Sequence, residues 1–93
     1  MPAEAGVEAQ LRVALAALRA GDAARAAVVC RQLRAAGEDG AGLRQVLGLA
    51  LLEQGRAGEA VGELEQAVAF DAANPFAAYN LGNALAACGR QRD

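Results

Sequence analysis

The sequence predicts an all-α chain built as a stacked array of helix pairs, and three observations carry that prediction. Gly21, Gly55 and Gly89 recur at a fixed interval of 34 residues, each after a run rich in Ala and Leu. A fixed period of that order marks a repeat architecture, whose units cannot bury their apolar faces alone. Apolar residues make up 55% of the 93 residues, yet mean hydropathy is only +0.16, because alanine supplies most of them. Alanine is the best helix former and buries little area, so this composition favours many closely packed helices over a thick core. Val is sparse, Ile is absent, and no alternating run reads as a strand.

With the glycines in register, three segments stand side by side: Val7–Gly40, Ala41–Asn74 and the shorter Pro75–Asp93. Helices are expected over 4–20, 22–36, 41–54, 57–70 and 75–88. The first carries Val13, Ala14 and Ala17 and stops at Gly21, suited to the left-handed conformation that closes a helix. Asp22 is the N-cap of the second, in which Ala26, Cys30 and Leu33 recur at helical spacing. Glu38-Asp39-Gly40 is the turn into the third, where Leu47, Gly48 and Leu51 share one side before Gly55 closes it.

A glycine inside a helix costs about 1 kcal/mol relative to Ala, so Gly48 implies a close helix approach. Ala14 and Gly82 are its counterparts, and Ala26 and Ala60 are expected as the opposite half of the contact. The fourth helix carries Ala60, Leu64 and Ala67, and Asp71-Ala72-Ala73 is the following turn. Asn74 caps the fifth, which begins with Pro75 where a missing N–H does no harm. Leu81, Gly82 and Leu85 follow, and Gly89 is expected to close it. One domain over 1–93 results, with repeats at about 7–40 and 41–74 and a truncated one at 75–93.

Charge and chemistry narrow the function classes. The formal charge is −2, the pI is about 5.0 and all nine basic residues are Arg, which is not the electrostatic footprint of a nucleic-acid binder. Arg or Glu interrupts every apolar run before it reaches membrane-spanning length, and Met1 to Ala5 is too short and acidic for a signal peptide's charged start. A cytoplasmic protein is expected. Cys30 and Cys88 lie far apart and no His is present, so both read as core thiols kept reduced, with no metal and no cofactor. There is no Ser or Thr either, and a site lacking hydroxyl nucleophile and imidazole base points away from an enzyme. Arg25, Arg31 and Arg34 form one stripe and Glu59, Glu63 and Glu65 another, with Arg31 and Glu65 in the same register as an expected ion pair between repeats.

The pattern Leu47-Gly48-x-x-Leu51, followed by Ala60-x-x-x-Leu64, resembles the tetratricopeptide repeat. The run Asn74-Pro75-Phe76-Ala77-Ala78-Tyr79-Asn80-Leu81-Gly82-Asn83-Ala84-Leu85 is similar to the start of a repeat of that family. In the first segment Val13-Ala14 replaces Leu-Gly and Cys30 replaces a large apolar residue. Trp is missing, and Ala72 stands where a closing Pro is usual.

The resemblance implies a right-handed α-solenoid of about two and a half repeats, whose first helices line a concave groove for a peptide or partner protein. Leu11, Arg12, Leu15, Leu18 and Arg19 would line it in the first repeat. Gln45, Val46, Leu49, Leu52 and Glu53 follow in the second, and Phe76, Tyr79, Asn80, Asn83 and Ala87 in the third. Asn80 and Asn83 carry most weight, because an Asn amide donates to and accepts from a peptide backbone at once. Arg12 and Arg19 offer either attraction for an acidic ligand or a merely solvated face. Without Lys, and with Val46 and Leu49 at groove positions, a full carboxylate clamp is not expected. The function implied is a protein–protein interaction module, a scaffold or adaptor. The alternative is the recruiting segment of a larger enzyme.

The third repeat has only its first helix. Its Ala78, Leu81, Gly82 and Leu85 face would receive a partner helix in a longer array. Three explanations compete: a fragment of a longer repeat protein, self-association into a homo-oligomer through this face, or a plain capping helix.

Overall fold

The computed structural model describes residues 3–92. Met1, Pro2 and Asp93, the ends of the expected 1–93 domain, lie outside them, as do the side chains of the tail from Arg90 onward. Five helices follow in order: α1 (Ala3–Arg19), α2 (Ala23–Ala35), α3 (Ala41–Glu53), α4 (Ala57–Phe70) and α5 (Pro75–Arg92). No strand occurs among the described residues.

Each helix packs on its sequence neighbours, α1 also touches α3, and α3 touches α5. The extents of 48 × 28 × 21 Å are those of an elongated slab, not of a bundle closed around one centre. The all-α solenoid is the observed fold. Its core is a layer of methyl groups: Ala14, Ala26, Ala50, Ala60, Ala67 and Ala84 are fully buried, with Leu47, Leu64 and Cys30 the largest side chains completely enclosed.

Three helices end in the same hydrogen-bonded closure. Gly21 N–H donates to the Leu18 carbonyl and Asp22 N–H to that of Ala17; Gly37 and Glu38 repeat this with Arg34 and Leu33, and Gly55 and Arg56 with Leu52 and Leu51. The three glycines have φ of +84°, +94° and +78°, a region closed to most side chains. Gly21 and Gly55 behave as expected, whereas Gly37 is an additional closure outside the 34-residue series.

Gly89 does not act as expected. It lies inside α5, which runs on to Arg92, four residues past the expected end at 88. At Gly21 and Gly55 the reversal sends the chain back as α2 and α4, burying Ala26 and Ala60. The residues after Gly89 carry no apolar stripe that a reversal would bury, so local helix propagation prevails.

The interior glycine of α3 has a more specific partner than Ala60. A Cβ on Gly48 would lie 2.6 Å from Cγ and 2.8 Å from Cδ2 of Leu64, which fills the notch where α4 crosses α3. The counterparts 34 residues earlier are Ala14 and Cys30, both fully buried. Where the helix side gains a methyl group, the opposing side chain is shorter. The irregular first repeat is thus a compensated exchange of volume. At Gly82, the third position of the series, nothing lies within 4 Å.

Candidate functional site

The first helices form one layer, because α1 meets α3 and α3 meets α5, while α2 and α4 make no comparable approach. Residues 34 apart line up across that layer. In one row stand Leu11, Gln45 and Tyr79. Leu11 reaches over the next first helix, its Cδ1 lying 3.7 Å from where a Cβ on Gly42 would stand. Gln45 Oε1 accepts a hydrogen bond of 3.2 Å from Asn74 Nδ2, so this groove candidate is tied to the head of α5. Tyr79 has no helix beyond it and is 69% exposed; Phe76 beside it is 68% exposed.

A second row is Arg12, Val46 and Asn80, and a third Leu15, Leu49 and Asn83. Leu15, Val46, Leu49 and Leu52 are half-buried and pack on the core, forming an apolar floor. Arg12, Arg19, Glu53 and Asn83 are exposed, and Asn80 and Ala87 are half-buried. Leu18 is a correction: it is buried in the core and lines no groove, because its side of α1 faces α2. Asn74 does two jobs that place this wall. Its Oδ1 accepts from Phe76 N–H at 2.9 Å, capping α5, while its amide holds Gln45.

The charged groups come together on the other side. Glu63 on α4 takes both terminal nitrogens of Arg34 on α2, at 3.0 and 2.6 Å, and Nη1 of Arg44 on α3 at 2.9 Å. Arg44 also reaches Asp39 through Nε at 2.8 Å and Nη2 at 3.0 Å. The Glu63 cluster spans the gap between the second helices. Burial alone would raise the Glu63 carboxyl, but its bonds to Arg34 and Arg44 outweigh that and hold it below its ordinary 4.5. Hydrogen bonding to Arg44 likewise holds Asp39 low.

The expected pair of Arg31 and Glu65 does not form among the described residues, where both side chains are exposed. Residues one full repeat apart point the same way off parallel helices, so neither can face the other. Arg44, the Asn74–Gln45 bond and the Leu64 notch went unread. Of these, only the Asn-Pro pair left a signal in the sequence.

Cys30 is buried and Cys88 half-buried, both as free thiols. Burial pushes the Cys30 thiol up to about 11, which leaves it unreactive at neutral pH.

A model of the TPR repeat matches residues 48–89, from the notch glycine of α3 through α4 and most of α5. Over that stretch the chain is a tetratricopeptide-repeat protein. The match leaves out α1 and α2, where Ala14 and Cys30 carry the exchanged volumes, although those helices continue the same stack. Neither the curated proteins nor the solved structures give a match to this chain. Tetratricopeptide repeats are in general protein-interaction elements, and among the described residues no helix is long and apolar enough to cross a membrane.

Proposed function

We propose that this tetratricopeptide-repeat chain is an interaction module whose first-helix layer holds an extended peptide or partner segment. One observation carries the reading: first helices approach each other while second helices stay apart. A slab packed closer on one side curves toward that side, so the rows from α1, α3 and α5 line its inner wall. Leu15 and Leu49 supply an apolar floor there. Phe76 and Tyr79 supply large exposed rings at one end, which bind with little loss of rotamer freedom.

Asn80 and Asn83 sit beside those rings, and among the described residues neither side chain is engaged in a hydrogen bond. Both can therefore grip a backbone amide in a sequence-tolerant way. Arg12, Arg19 and Glu53 add charge at the rim, where it steers a partner more than it holds one.

The test begins with a pull-down and mass spectrometry to obtain a ligand, followed by calorimetry on variants. Asn80→Ala and Tyr79→Ala should each weaken binding about tenfold, equivalent to roughly 1.4 kcal/mol. Arg25→Ala, on the opposite layer, should leave it unchanged. Affinity indifferent to both groove substitutions would reject this wall as the binding surface.

A further inference from the structure

The stripe of α5 formed by Ala78, Gly82, Leu85 and Gly89 is open, and it is a different side of the helix from Phe76, Tyr79 and Asn83. On α3 the matching stripe, 34 residues earlier, is covered by α4, with Leu64 seated over Gly48. On α5 a Cβ at Gly82 or Gly89 would meet nothing within 4 Å, and Leu85 is 52% exposed. This stripe thus carries both a notch, Gly82, and a projecting leucine, Leu85, which on α3 and α4 are divided between two helices. No Asp, Glu, Lys or Arg occurs from Pro75 to Gly89, so two such surfaces meet without like-charge repulsion and offer nothing to a charged partner.

We propose that this stripe is the contact surface of a two-fold homodimer in which the α5 helices of two copies pack antiparallel. A two-fold interface is self-complementary, each patch meeting its own copy reversed. With the axis midway between Gly82 and Leu85, Leu85 of each copy faces Gly82 of the other. In the same register Leu81 faces Ala86 and Ala78 faces Gly89, so each large side chain meets a small one and the backbones can approach closely. Setting Gly82 against Gly82 instead drives Leu85 into Tyr79 of the second copy. The pairing therefore selects one register. It buries the one stripe that the intramolecular stack leaves uncovered, driven by apolar area removed from water. A contact of four helical turns is small, so the dimer is concentration-dependent and dissociable.

Sedimentation equilibrium on the full chain, from micromolar to millimolar concentration, tests this. The mass should rise from 9.4 kDa toward twice that value. Leu85→Glu should stay monomeric throughout, with its helical circular dichroism unchanged because the side chain is exposed. Gly82→Leu fills the notch and should also abolish the dimer, yet raise the Tm, since it replaces a helical glycine that touches nothing. Combining Gly82→Leu with Leu85→Ala exchanges notch and projection and should restore the dimer. Asn80→Ala should leave association unchanged, separating this surface from the groove.

A constant mass of 9.4 kDa for the wild-type chain would overturn the proposal, as would a dimer that survives Leu85→Glu. Assemblies larger than two, or a double variant that stays monomeric, would overturn the paired geometry.

Discussion

Gly48 and Gly82 occupy the same place in successive repeats and have opposite reasons to be glycine. At Gly48 a methyl group would stand 2.6 Å from Leu64 Cγ, and Leu64 is enclosed on every side. Gly48→Ala should therefore destabilise the chain by about 1–3 kcal/mol through overpacking. Gly82→Ala meets nothing within 4 Å and relieves the helical cost of glycine, so it should stabilise by up to about 1 kcal/mol. Urea unfolding of the two variants at low concentration checks both signs. Equal shifts in the same direction would mean that helix propensity, not the notch, governs this position. The sequence marked both glycines as calling for a close approach, but only packing separates the occupied notch from the empty one.

The elements themselves were largely legible, because their ends are set by local chemistry. Asp22 caps α2 through Arg25 N–H, and the φ of Gly55 matches a closing glycine. Gly89 was misread for a physical reason: a glycine permits a reversal, and helix packing after it must favour one. Between elements, Ala14 with Cys30 and Gly48 with Leu64 are alternative fillings of one contact. Cys30→Leu should cost about 1–3 kcal/mol by overpacking. Adding Ala14→Gly should recover part of that loss, beyond what the two single changes predict together. A double-mutant cycle by chemical denaturation measures the coupling, which for side chains in contact is about 0.5–3 kcal/mol. Strict additivity would show that the two positions do not share a contact.

At the scale of the whole molecule, Glu63 joins three helices through Arg34 and Arg44, bridging second helices that do not otherwise meet. Its side chain is only 16% exposed, so the ion pairs are screened less than surface ones, but the guanidinium groups reach water. Glu63→Gln should cost about 2 kcal/mol at neutral pH, between the surface and buried limits. The pH dependence has a definite sign. A carboxyl held below its ordinary 4.5 in the folded state contributes its full stability above that value and loses it as pH falls through the folded pKa. The difference between wild type and Glu63→Gln should therefore close under acid conditions, in denaturation curves taken from neutral pH down to about pH 3. A gap independent of pH would assign the loss to packing. Arg34 and Glu63 were each visible as members of charge stripes, but their pairing depends on how far one repeat is rotated against the next.

The sequence by itself determined the helical class, the 34-residue rhythm, the cap at Asp22 and the asparagine and aromatic residues offered by α5, because each depends on residues near one another along the chain. Tertiary structure decided which glycine is a filled notch, that Leu18 belongs to the core, that Gln45 is tied to Asn74, and that Glu63 rather than Glu65 bridges the repeats. These are facts about distances between helices. A linear pattern sets which side of each rod is apolar, while rotation and offset between rods decide which side chains meet.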